Sequence, residues 1–189
     1  TEGTPQTVDK LLNSFQPKEV LYPKGSETRF TELFGSKYYT YPIEEWFFET
    51  GSAADRLKKH FEVTTLKGFG IDKMDCGISA AGAILYYLDM TKHEMVGHIT
   101  SIARIDEASH VLLDRFTLRN LELLDSLHEG GRSLVDILDR TITPMGGRTL
   151  RRWLCMPLKN PADIGERLDI VECFISRKAE RTELETLLR

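Results

Sequence analysis

Apolar residues recur along this chain with changing period. Val8, Leu11, Leu12 and Phe15 fall at i, i+3, i+4 and i+7, one face of a helix, with Thr7 placed to cap it and Pro17 beyond its end. Glu19–Tyr22 predicts a strand, closed by the turn residues Pro23-Lys24-Gly25. A short helix over 26–34 stops at Gly35, a residue suited to a left-handed C′ position. The aromatic, β-branched run Lys37–Tyr41 predicts a second strand, and Pro42 holds Tyr41 extended. Ser52 and Asp55 carry capping-box spacing, opening a helix with Leu57 and Phe61 on one side. After the break at Lys67–Gly70, a helix over 77–89 lines Ile78, Ala81, Leu85 and Leu88 on one face; its small residues, Ala80 to Ala83, allow another backbone to come close.

Past residue 98 the pattern changes. His98–Ile105 predicts a linker or extended crossing segment, and nearly everything after Asp106 reads as helix. Asp114 caps a helix running through Leu124, His128–Gly131 makes a turn, and Ser133 with Asp136 repeats the capping spacing. Thr143-Pro144 and Asn160-Pro161 are paired start signals, a capping side chain followed by a proline at the first helical position. The first of these helices carries Leu150, Trp153 and Leu154, with Trp153 directed to the core; the second carries Ile164, Leu168, Val171 and Ile175 as a buried stripe. Strand–helix alternation followed by helices predicts an α+β chain, split at 105/106. Two or three strands are few for a free-standing sheet, and the final amphipathic stretch stops in mid-pattern. Both suggest that the sheet and the last helix continue beyond this chain.

Composition narrows the function classes. Net charge is −4, spread evenly, so neither half has the basic excess of a surface that neutralises many phosphates. Cys76, Cys155 and Cys173 form no C-x-x-C pair, as expected of a reduced cytoplasmic protein. Ile78–Leu88 is too short and mixed to span a bilayer.

Candidate chemistry is sparse. Gly68-Phe69-Gly70 lacks the later Gly-Lys-Ser/Thr of a phosphate loop and reads as a bend. Met145-Gly-Gly-Arg148 could receive an anion at a helix start, although its glycines fit close helix packing better. No two of His60, His93, His98, His110 and His128 have metal-ligand spacing on one helix face. The predicted strands offer only Glu19 as a carboxylate, against two-metal nuclease chemistry, and no nucleophile elbow occurs. Arg148, Arg151 and Arg152 form a basic cluster on one side of a helix, open to a phosphate or an acidic partner, or else to pairing with nearby Asp136 and Asp139. The expectation is a chain with no catalytic residue, cofactor site or metal site.

Two long runs carry a resemblance. Leu113–Leu123 (LDRFTLRNLEL) and Leu134–Leu158 (LVDILDRTITPMGGRTLRRWLCMPL) resemble signature passages of the MutS family of DNA mismatch-repair proteins. Arg167–Val171, Leu66–Gly70, Ala80–Gly82 and Gly97–Thr100 resemble further family passages, so the likeness runs from about residue 17 onward.

The resemblance implies a truncated ribonuclease-H-like α/β connector part over 1–105 and the start of an all-helical core domain, leading toward the lever, over 106–189. It also implies a full-length homodimer that clamps mismatched duplex DNA, binds ATP and Mg outside this segment, and signals to MutL. The connector is then a docking surface for MutL, with Asp55, Arg56 and Lys59 on the exposed side of the 52–61 helix as candidate contacts. Thr143, Pro144, Gly146, Arg148, Arg152 and Trp153 take interdomain or structural roles, Arg148 and Arg152 as relay candidates. The rival readings are a ribonuclease-H-like nuclease and a stand-alone helical adaptor.

Overall fold

Ala53, Leu57, Leu66, Ile71 and Ile78 close around one apolar core in the computed structural model, which describes residues 1–93, 95–105 and 108–188. The chain divides into two compact units, one of Thr1–Asp9 with Gln16–Ile105, the other of Lys10–Phe15 with Asp106–Arg189.

The first helix, α1 (Pro5–Phe15), begins earlier than its apolar spacing suggested. Thr4, not Thr7, is the cap: its Oγ1 accepts the Thr7 amide at 3.3 Å, and Pro5 takes the first helical position.

In the first unit, β1 (Val20–Pro23) pairs in parallel with β2 (Thr40–Ile43) in the register Val20↔Thr40 to Pro23↔Ile43, with α2 (Glu27–Phe34) between them in sequence. The second strand overlaps the expected run but starts three residues later, at Thr40, and ends two later, at Ile43. Tyr39 is 70% exposed, whereas Ile43 is 4% exposed and packs with Phe47 and Ala83, so burial, not aromatic propensity, selects the register. Pro42 is tolerated because a two-stranded sheet leaves each strand an open edge. Gly35, at φ 78°, ends α2 as predicted, its amide donating to the Thr31 carbonyl.

A 3-10 turn (Glu45–Phe48) leads into α3 (Thr50–His60). The helix opens on Glu49 rather than Ser52: the Glu49 carboxylate accepts the amides of Gly51 (2.9 Å) and Ser52 (2.6 Å). A negative cap also suits the positive end of the helix dipole. A second 3-10 turn (Leu66–Phe69) ends on Gly70 at φ 67°. α4 (Asp75–Met90) then packs along α3. Its small residues allow the close approach, and both sides are used: Ile78 and Leu85 face the α3 core, while Ala83, Tyr86 and Tyr87 face β2 and Phe47. Residues 99–105 carry no helix or strand, and Ile102 packs back on the α3 core.

In the second unit, α5 (Arg115–Asn120), α6 (Leu134–Leu138), α7 (Pro144–Cys155), α8 (Pro161–Ser176) and α9 (Lys178–Leu187) follow one another. The predicted caps hold. Asp114 accepts the Thr117 amide, Ser133 and Asp136 form a reciprocal box, Thr143 accepts the Gly146 amide, and Asn160 accepts the Ala162 amide. α5 stops short of Leu124 because Glu122 turns left-handed at φ 48°, and its carboxylate accepts the Leu127 amide. The carbonyls of Glu122 and Leu123 accept the first two amides of α6, and Leu118, Leu123, Leu124 and Val135 are buried. An antiparallel bridge, His110↔Leu158, joins the strand-like segments before α5 and after α7.

The expected buried stripe on α8 is not buried. Ile164, Leu168, Val171 and Ile175 are 39–62% exposed, because α8 is engaged mainly with α9. Trp153 is likewise 39% exposed, its ring covered by the Arg167 guanidinium at 4.2 Å, a cation–π contact from α8. Cys155 and Met156 are the α7-end side chains that reach the interior.

Candidate functional site

The residues expected to dock a partner line one cleft. Asp55, Arg56 and Lys59, a turn apart on α3, face Leu85 and Asp89 on α4 and the following His93 and Val96 across about 590 Å³ of open space. Their roles differ. The Arg56 guanidinium donates to the Gly82 carbonyl at 3.1 Å and lies 4.9 Å from the Tyr86 ring centroid, so it ties α3 to α4. Asp55 accepts Lys58 Nζ at 3.0 Å on the open surface, a weak pair, and Lys59 is exposed. His60 closes one end, its Nε2 2.8 Å from the Ile99 carbonyl, which holds the segment after α4 against α3.

The α4 side of the cleft was missed in the sequence reading. Leu85 and Asp89 are four apart and therefore share a helix face, which is the signal that would have found them. Nothing local links His93 and Val96 to α3; only folding does. On the opposite side of α4, the one that faces β2, Tyr87 donates to Glu19 Oε2 at 2.7 Å. That hydrogen bond stabilises the protonated phenol and pushes its pKa up to about 12.

The second group of expected residues clusters at the start of α7. Thr143 caps, and Pro144 occupies the first turn. A Cβ on Gly146 would lie 3.1 Å from Thr141 Cβ, so this glycine admits the preceding loop rather than another helix, as had been expected. That loop is set by Asp139, whose Oδ1 accepts the Thr141 amide and hydroxyl. These hydrogen bonds, with a smaller contribution from Arg151, hold the Asp139 carboxyl below its ordinary value; the Ser133 hydroxyl and amide do the same for Asp136. Arg148, Arg151 and Arg152 line an open cleft of about 330 Å³ with Phe15, Met145 and Thr149.

Gly68-Phe69-Gly70 does not fit a nucleotide phosphate. The Gly70 amide, which a phosphate cradle would present, donates instead to the Lys67 carbonyl at 2.9 Å. Among the described residues no group of three or more His, Cys, Asp or Glu side chains is placed to hold a metal ion, and no helix is long and apolar enough to cross a membrane.

Comparison with known proteins covers most of the chain. The family model for MutS domain II matches residues 2–100, and that for MutS domain III matches residues 116–189. The chain is 52% identical over 173 residues to the DNA mismatch repair protein MutS of Phocaeicola vulgatus, covering 92% of this chain and 20% of that protein. It is 51% identical over 183 residues to that of Bacteroides fragilis, with 97% and 21% covered. With the Cytophaga hutchinsonii protein it shares 49% over 183 residues, again 97% and 21%. The chain thus spans about a fifth of the length of the curated relatives it matches. With residues 2–100 matching domain II and residues 116–189 matching domain III, the chain belongs to the MutS family.

Proposed function

We propose that this chain is the connector and core part of a DNA mismatch-repair ATPase, that it has no catalytic role of its own, and that the α3–α4 cleft is its docking surface for MutL. The observation that carries the reading is the convergence of Asp55, Arg56 and Lys59 on one cleft beside Leu85 and Val96. Charged residues around an apolar floor are the anatomy of a protein-binding patch. In this reading the two-stranded sheet with α3 and α4 is part of a ribonuclease-H-like connector. The whole protein is a cytoplasmic homodimer that grips mismatched duplex DNA, with ATP and Mg bound outside this segment. Arg148 and Arg152 pair across a domain interface and relay the nucleotide state. A double-mutant cycle on ATP-dependent DNA release in the full-length protein tests the relay, and additive effects would count against it.

Docking is tested by titrating the chain into the ATPase domain of MutL in a calorimeter. Because Arg56 also ties α3 to α4, the informative variant is Asp55→Lys with Lys59→Glu, which leaves Arg56 in place. Saturable binding weakened in the variant supports the reading; absence of binding by the native chain, or equal binding by the variant, removes the cleft as the docking surface.

A further inference from the structure

The arginines of α7 line an open cleft whose other lining is uncharged: Ser14, Phe15, Met145 and Thr149. Arg148 and Arg152 are one turn apart, Arg151 lies beside them, and among the described lining residues every charged side chain is one of these three. Phe15 at 45% and Met145 at 58% exposure supply the apolar part of the lining. Arg151 divides its field with Asp136 and Asp139, whose carboxyls it helps to keep ionised, so Arg148 and Arg152 carry the charge toward the cleft.

From this arrangement we infer that the α1–α7 cleft is a binding site for an acidic protein segment, carboxylates on Arg148 and Arg152 and one apolar side chain between Phe15 and Met145. Planar guanidinium groups match carboxylates in a two-point fork, and exposed Met and Phe supply adaptable apolar contact. A nucleic-acid backbone is the poorer fit. It requires a long basic track, whereas this cleft offers three arginines on a chain of net charge −4 with no basic excess in either half. This inference stands on the second unit alone and is independent of docking at the α3–α4 cleft; it rests on the relay reading only in that the acidic segment is what Arg148 and Arg152 pair with.

The test uses the 189-residue chain. A blocked hexapeptide of five acidic residues around one phenylalanine is titrated against it while amide shifts are followed by nuclear magnetic resonance. The expected result is saturable binding with shifts centred on residues 145–152. Affinity should fall on the order of tenfold when the acids are replaced by glutamine, and similarly in Arg148→Glu/Arg152→Glu with unchanged melting temperature. If that variant does not fold, Arg148→Gln/Arg152→Gln replaces it, with the same expectation of weakened binding. No binding, shifts centred elsewhere, or undiminished affinity in a folded variant would overturn the inference. So would a short DNA duplex that displaces the peptide from the same arginines at lower concentration, which would make the site a phosphate-backbone contact.

Discussion

Gly82 of α4 lies so close to Ala53 of α3 that a Cβ built on it would fall 2.5 Å from the Ala53 Cβ and 2.6 Å from its Cα. Ala53 is fully buried, and the Gly82 carbonyl accepts the Arg56 guanidinium, so the crossing point is closed by contact and by a hydrogen bond together. The α3–α4 cleft exists because the two helices are held at this separation.

Gly82→Ala should therefore destabilise the first unit. Helix propensity favours alanine by about 1 kcal/mol, but pushing apart two packed backbones costs about 1–3 kcal/mol or more, and here the clash is with backbone. The net expectation is a loss of about 1–2 kcal/mol in urea unfolding, with the α3–α4 cleft disturbed. A variant as stable as the native chain would show that the helices separate freely.

Ser133→Ala removes a fully buried cap whose hydroxyl both accepts the Asp136 amide and donates to the Asp136 carboxylate. The expected cost is about 1 kcal/mol, measured by denaturant unfolding. A much smaller loss would mean that the Glu122 and Leu123 carbonyls hold the start of α6 without the cap.

The cap carboxylates make stability depend on acid. Glu49, Asp114 and Asp136 all sit below their ordinary values, mainly through hydrogen bonds from Ser52, Thr117 and Ser133. A depressed folded-state pKa contributes stability that is present above the unfolded value and lost as pH falls through the folded one. The gap in melting temperature between the native chain and Asp136→Ala should be constant near neutrality. It should close as pH drops through the ordinary 3.8 and below. A gap that widens on acidification would contradict the assignment of Asp136 as an ionised cap.

The cysteines should separate by reactivity. Cys155 is fully buried and its thiol is pushed up to about 11 by burial, whereas Cys76 is exposed on the first turn of α4. Iodoacetamide at pH 8 should modify Cys76 in the native chain and Cys155 only under denaturing conditions, read by peptide mass. Equal rates would indicate that the α7 end opens readily.

Packing of Trp153 is open to direct measurement. Arg167→Ala should red-shift its fluorescence in a Trp46→Phe background and cost about 0.5–1 kcal/mol. An unchanged spectrum would mean that Arg167 does not cover the ring.

Local chemistry was legible where a side chain acts on its own neighbours. Thr143-Pro144, Asn160-Pro161, Asp114 and the Ser133–Asp136 box start their helices as their spacing predicts, because a cap and its amide lie within three residues. The small residues of α4 announced a close approach, and Gly35 a left-handed turn. Of the candidate site, Asp55 and Lys59 were legible as an exposed helix side, whereas Arg56 is half-buried because it turns back to α4. The same locality misled where two signals competed. Thr7 and Ser52 look like caps, but Thr4 and Glu49 reach the free amides first.

Tertiary structure decided the rest, because burial depends on what arrives from elsewhere in the chain. Periodicity showed that α8 has an apolar face; only the fold shows that Leu168 and Ile175 remain exposed. Propensity placed a strand at the tyrosines, and the pairing of β2 with β1 moved it to bring Ile43 inside. That Arg56 binds α4, that Arg167 covers Trp153, and that Phe15 joins the α7 arginines all bring together residues far apart in sequence. Spacing along a chain reports which side of an element is apolar or charged, and the partner that meets that side is set by folding.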